Sequence, residues 1–489
     1  MLLLSVISLY TVRVVLSILG VRDYGIYNVV GGIAASFSVL SSTMASATQR
    51  FFAFEIGRKD ETRLRLTFSM SIIIYIALSV LILIFAETVG RWFLNAKLNI
   101  PGDRVTVANV VYQFTVLSFI FTILRVPFNA IIIAREYMRF YAYLSILEAL
   151  FKLIIVYLLA IFLFDKLILY SILIFGVTVL ITTIYFVFCS WRFPETRFSF
   201  IWSSEVFRTI GSYSGWSVFG TLTTVSFEQG LNFLLNIFFG PIVNASRAIA
   251  YQINGTLSSF ALNFYSAVHP QIVKSYAESN NYRVIELVFN STRYCFYLFL
   301  IISLPLLWET EFFLRLWLKD VPLFSASFVR LILIFSFLNF IQAPITAAVQ
   351  ATGDIRRYEI VIGSIMLMCL PLSYLLIVLG CAPISSFYAM IVVSVIALFF
   401  RLIILKNKID FSYRLYIRSV LSRIILVAVV SCIIPFLLIH VFFKSNPHFG
   451  IMSLICVLSA MGAVWILGLN KVEKVFCISF FERRLALLK

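Results

Sequence analysis

The stretch Ser71–Ala86, SIIIYIALSVLILIFA, decides the fold class, because it is apolar on every side and carries no alternating polar positions. A membrane β-barrel strand would alternate apolar and polar residues over about ten positions. A run without that alternation reads as a helix immersed in hydrocarbon. The rest of the chain has the same character: of 489 residues, 62% are apolar, 16% aromatic and only 12% charged, and the mean hydropathy is +1.01. Soluble domains lie near 45–50% apolar and about 25% charged, so this composition excludes a soluble enzyme, a disordered chain and a coiled coil. A spanning helix takes about 20 apolar residues. Breaking the chain at charges, Pro and Gly gives fourteen candidate spans, among them 1–20, 25–54, 209–237, 241–273 and 294–314. The expected class is an all-α polytopic membrane protein.

The charged minority is basic, with 39 Lys and Arg against 22 Asp and Glu. An even number of spans puts both termini on one side, and alternate connections then hold 24 and 8 of the basic residues, the tail counted with the richer set. Cytoplasmic connections collect Lys and Arg, so both termini are expected in the cytoplasm. The seven cysteines are scattered with no close pair, which predicts neither a disulfide framework nor a metal site.

Shifting the chain by 217 residues lays PFNAIIIAREYMRFY, from Pro127, over PITAAVQATGDIRRY, from Pro344. This internal repeat predicts two six-helix lobes, residues 1–191 and 209–405, related by a pseudo-two-fold axis along the membrane normal, an architecture of transport. Residues 192–208 are the expected cytoplasmic linker, 406–470 two additional spans, and 471–489 a basic cytoplasmic tail. Pro127 and Pro344 interrupt the helical hydrogen-bond ladder at equivalent places and are the candidate hinges.

Seven basic residues remain inside the proposed spans: Arg13, Arg50, Arg125, Lys152, Arg247, Arg330 and Arg423. A charge at a helix centre costs about 2.5–3.5 kcal/mol on insertion scales, so such residues face a cavity or a partner. Arg330 and Arg423 lie near span ends and can snorkel. Lys152 follows Glu148 by four residues, the spacing of an intrahelical ion pair. Arg13, Arg50, Arg125 and Arg247 are candidate cavity cations, with a structural pair or an interface as the alternative for Arg13 and Arg125 and snorkelling at the cytoplasmic mouth as the alternative for Arg50. Glu228 and Asn232 share one helical face, and Glu228 is open to three roles: a site for a coupling ion, a partner for a cavity arginine, or a structural counter-ion.

The passage LYTVRVVLSILGVRDYGIYNVVGGIAASFSVLSSTMASATQRFFAFEIGRKD (Leu9–Asp60) resembles the opening of oligosaccharide-lipid flippases in the multidrug, oligosaccharidyl-lipid and polysaccharide exporter superfamily. GPIVNASRAIAYQINGTLSSF (Gly240–Phe260) resembles their seventh-to-eighth helix passage. Such proteins carry a basic segment before the first helix, so the resemblance implies a native start upstream of Met1. It further implies a flippase for O-antigen or capsular repeat units, moving polyprenyl-pyrophosphate-linked oligosaccharide across a bacterial plasma membrane by alternating access. Membrane lipid, a polysaccharide polymerase and glycosyltransferases are the implied partners. Arginine suits that task, because its planar fork grips phosphate oxygens and stays charged. An ion-coupled multidrug exporter of the same superfamily is the alternative, and it would want a neutral or acidic cavity. A membrane glycosyltransferase or polymerase is disfavoured, since the longest outer connection is only about 16 residues.

No G-x-x-x-x-G-K-[ST], H-E-x-x-H, Cys/His cluster or G-x-S-x-G elbow occurs. No cofactor, metal or nucleic acid is therefore expected, and no enzymatic activity. Transport would draw on an ion gradient, the membrane potential or consumption of the product.

Overall fold

A computed structural model describes residues 2–37, 44–45, 48–49, 51–52, 55–56, 60–135, 137–161, 164–196, 204, 223, 225–278, 280–318, 320–352, 356–409, 411–437, 449–471 and 473–475. Arg50, most of the expected linker 192–208 and the tail beyond Val475 lie outside the described residues. Among the described residues there are no strands, and ten helices are long and apolar enough to cross a membrane. The chain is an all-α, multi-pass membrane protein.

In chain order the helices are α1 (Leu2–Ser36), α2 (Glu61–Ala96), α3 (Val105–Ala134), α4 (Met138–Ile161), α5 (Lys166–Arg192), α6 (225–239), α7 (Pro241–Ala277), α8 (Asn281–Trp308), α9 (Thr310–Trp317), α10 (Ser325–Ala351), α11 (Arg356–Val378), α12 (Ser385–Lys408), α13 (Tyr413–Leu437) and α14 (Ile451–Gly468). The break expected between spans 1–20 and 25–54 is present as a kink: Gly20 adopts φ 78°, a left-handed backbone that a side chain would strain. The decisive run on α2 is apolar all round for two different reasons. Tyr75 and Ile82 are buried and pack against Ile123 of α3, whereas Ile76, Val80 and Ile84 are exposed apolar surface of the kind that lipid covers.

Contacts gather the helices into two compact units. The first comprises Met1–Ile249, Leu318–Ser325 and Met366–Ser386; the second comprises Ala250–Trp317, Ala326–Ile365 and Phe387–Lys489. Helix α6, assigned by sequence to the second lobe, thus groups with α1–α5.

Within the first unit α3 runs along α5, and α1 packs on both α3 and α4. Charged clamps tie these helices at their ends. Arg104 holds Asp23 of α1 and Asp165, the residue that caps α5 through the Leu167 and Ile168 N–H groups. Arg135, at the end of α3, holds the buried Glu195. Close approach of α1 to the α6–α7 corner depends on a missing side chain: a Cβ on Gly25 would lie 2.0 Å from the Pro241 carbonyl oxygen.

Within the second unit α8 is a central element, 67% buried over its apolar window where α5 in the first unit is 17% buried. It packs against α13 and α14. This helix corrects the sequence boundary. The span expected at 294–314 begins instead at Asn281, so Arg293, counted among the loop cations, is 3% exposed inside α8. Its charge is met from far along the chain: Nη2 donates to Glu473 Oε1 at 2.7 Å and to Asn290 Oδ1 at 2.6 Å, and Nη1 to the Gly468 carbonyl at 3.3 Å. Hydropathy stops a span at a charge, and it cannot see a neutralising partner 180 residues away.

Two outcomes follow for stability. Gly25→Ala should lower the thermal midpoint of the purified protein, at a cost of about 1–3 kcal/mol for overpacking; Gly31→Ala, which meets nothing within 4 Å, should leave it level or raise it slightly. Burial tends to raise the Glu473 carboxyl, but the Asn470 N–H, Tyr294 and Arg293 together hold it below its ordinary value of 4.5. A depressed carboxylate stabilises the fold above its ordinary range and loses that contribution as pH falls through the folded value. Glu473→Gln should accordingly melt lower than wild type at pH 7, and the difference should shrink as both are acidified below about pH 4.

Candidate functional site

Of the polar groups that the sequence picked out inside the spans, Arg330 and Arg423 fall in the second unit, where Arg330 lies 3.6 Å from Glu311 and Arg423 donates to Asn470 Oδ1; the other described ones fall in the first unit, at three places. The densest is the seam between α1, α6 and the start of α7. Glu228, Asn232 and Asn236 recur every four residues on α6 and so share one face. Asn244 of α7 donates from Nδ2 to the Asn232 carbonyl at 2.8 Å and to Asn232 Oδ1 at 2.7 Å. Asn236 accepts from the Asn99 backbone N–H at 2.8 Å. Arg247, one turn after Asn244 and only 7% exposed, donates to the Glu228 carbonyl at 2.8 Å. Opposite this face α1 presents Gly32, where a Cβ would lie 2.6 Å from Asn232 Nδ2 and 2.8 Å from Gln229 Oε1. The absent side chain lets a polar helix face reach the α1 backbone without a gap.

At the second place, α3 and α4 share one carboxylate. Glu148 Oε1 is 2.7 Å from Lys152 Nζ, and Glu148 Oε2 is 3.1 Å from Arg125 Nη1. Arg125 also stacks over the Tyr185 ring of α5, with Cζ 5.5 Å from its centroid. The spacing of four foresaw Glu148 beside Lys152. It did not foresee that Arg125, from another helix, takes the second oxygen.

The third place is Arg13, about midway along the first segment of α1. It is exposed, with Val12, Val14 and Val15 around it, and has no hydrogen bond or ion pair among the described residues. The structure therefore brings Arg247 to the Glu228 carbonyl and Asn244 to Asn232, brings Arg125 and Lys152 to Glu148, and gives Arg13 no hydrogen-bond or ion-pair partner among the described residues.

Pro127 and Pro344 both lie inside continuous helices, α3 and α10. Two residues before each, a polar side chain crosses to a neighbouring helix of its own unit: Arg125 to Glu148, and Gln342 to Ser394, whose carbonyl and hydroxyl accept at 3.1 and 2.9 Å. Sequence reasoning passed over Asn236, Asn244 and Gln342. Extending the four-residue spacing of Glu228 and Asn232 by one more turn would have found Asn236, and the 217-residue offset that lays Gln342 on Arg125 would have found Gln342; Asn244 carries no spacing signal.

Residues 1–158 match the MatE family model. No curated protein sequence matches. Among solved structures, the lipid II flippase MurJ in its inward closed conformation superposes with a TM-score of 0.71 at 13% identity, covering 95% of this chain and 96% of that one. An inward-facing multidrug resistance transporter of the MATE family, in the MOP superfamily, gives 0.66 at 13% identity, covering 83% of this chain and 95% of its own. A MOP superfamily transporter from Pyrococcus furiosus, described as having a binding pocket of reversed polarity, gives 0.57 at 14% identity, with 83% and 96% covered. This chain has the fold of MOP-superfamily transporters.

The seam is expected to be a structural joint of the first unit. Asn244→Ala removes both hydrogen bonds to Asn232 and should cost about 1–3 kcal/mol, read as a lower thermal midpoint in detergent, whereas Ser17→Ala, on the exposed side of α1, should change it little.

Proposed function

We propose that this chain is a flippase that moves polyprenyl-pyrophosphate-linked oligosaccharide units from the cytoplasmic to the outer leaflet of a bacterial plasma membrane, by alternating access, for surface polysaccharides of the O-antigen or capsular kind. Both termini are cytoplasmic in this reading, as the skew of basic residues between alternate connections suggests. The carrying observation is Arg13, a permanent cation among apolar residues of the first segment of α1, exposed and with no partner among the described residues. A guanidinium so placed is tolerated where water and an anion reach it. A pyrophosphate headgroup is such an anion, and it cannot enter hydrocarbon bare. Arg13, Arg125, Arg50 and Arg247 supply the positive charge, with Glu228 and Asn232 as ion or counter-ion site and Pro127 and Pro344 as hinges. Glycosyltransferases would build the cargo on the cytoplasmic side, and a polymerase would consume it outside.

Two features of this chain are in keeping with the flippase reading. MurJ covers 95% of this chain and the MATE transporter 83%, so much of the length in excess of an exporter is length shared with a flippase. An exporter of cationic drugs also gains from a free carboxylate, and the Glu148 carboxylate is held by both Arg125 and Lys152.

Proteoliposomes holding the full chain and a fluorescent lipid-linked oligosaccharide decide the matter. Wild type should equalise the label between leaflets, Arg13→Ala should slow this by roughly tenfold or more at normal protein levels, and Arg13→Lys should keep part of the rate. A wild type that leaves the lipid in place but extrudes ethidium against an imposed cation gradient would establish the exporter instead.

A further inference from the structure

Lys152, read from its spacing as one half of a neutral pair, is not neutralised. Glu148 gives one oxygen to Lys152 and the other to Arg125, and neither cation has a second carboxylate within ion-pair distance among the described residues. Two cations on one carboxylate leave a formal single positive charge, near the middle of α4 and well inside α3. That surplus is accessible: the Lys152 side chain is 42% exposed and that of Arg125 20%. Two of the three ammonium protons and most of the guanidinium N–H groups remain free to donate. The Tyr185 ring under Arg125 holds the guanidinium plane without consuming a donor.

We propose that Lys152 and Arg125, set apart by the carboxylate they share, form a binding site for a phosphate oxyanion on α3 and α4. The assignment rests on the flippase reading and deepens it, by naming residues that take the phosphoryl group. Glu148 is a positioning residue: it fixes the spacing of the two cations and halves their charge, so that a multiply charged headgroup is attracted yet can leave. Phosphate oxygens can belong to the lipid-linked headgroup or to free phosphate, and the same chemistry serves both.

A charge ladder tests this on the full chain in nanodiscs, with inorganic pyrophosphate and farnesyl pyrophosphate titrated by calorimetry. Lys152→Met leaves a neutral pair and should weaken binding roughly tenfold; Glu148→Gln should tighten it; the double variant Glu148→Gln/Lys152→Met restores a single charge and should return near wild type. Should Glu148→Gln fail to fold, Lys152→Arg against Lys152→Met carries the test, with Arg retaining affinity. Binding of farnesyl pyrophosphate alone points to the lipid headgroup, and equal binding of both probes to free phosphate, each supporting the site. Unchanged affinity in Lys152→Met, or no binding of either probe to wild type, overturns it. A ladder that holds while leaflet exchange is absent would retain the site and remove the flippase; exchange with a flat ladder would do the reverse.

Discussion

Hydrocarbon does not solvate charge, and Arg293, Arg247, Arg125 and Arg13 answer that constraint in different ways. Arg293 is buried in α8 and neutralised by Glu473 from beyond the last span, which docks the start of the tail onto the second unit. Arg247 is buried with Glu228 at hand and gives a donor to its backbone carbonyl. Arg125 shares a carboxylate with Lys152 and leans on an aromatic ring. Only Arg13 stands exposed with no partner among the described residues, and the anion-carrying reading of the chain rests most heavily on it.

A second consequence of the same solvent is that apolar side chains do little to draw helices together, since lipid tails are as apolar as leucine. Close packing and interhelical hydrogen bonds must do it. The α1–α6–α7 corner uses both, with Gly25 and Gly32 allowing close approach while Asn244 of α7 bonds Asn232 of α6; one turn on, Asn236 accepts from the Asn99 backbone N–H. The cost is mutational rigidity at two glycines on one helix. The clamps of Arg104 and Arg135 do the corresponding work at the helix ends, where each buried carboxylate, Asp23 and Glu195, is met by a part-exposed arginine.

The offset of 217 residues relates equivalent prolines, and the polar residues two positions before them show how a repeated frame diverges in chemistry. Gln342 finds a serine on a neighbouring helix and stays neutral, whereas Arg125 finds a glutamate already claimed by a lysine.

Class and span character were legible because they depend on composition and run length alone: a stretch such as Ser71–Ala86 has no other stable environment than lipid and helix neighbours. The kink at Gly20 and the pairing of Glu148 with Lys152 were also local, within reach of spacing rules. What the sequence could not give was the partner of each charge. Arg293 was read as a loop residue, because its carboxylate lies 180 positions on, and Lys152 as neutralised, because Arg125 reaches Glu148 from another helix. Charge compensation is set by distance in space, and a linear chain reveals such distances only across a few turns of its own helices; beyond that, tertiary packing alone decided which cations are satisfied and which remain free to meet an anion.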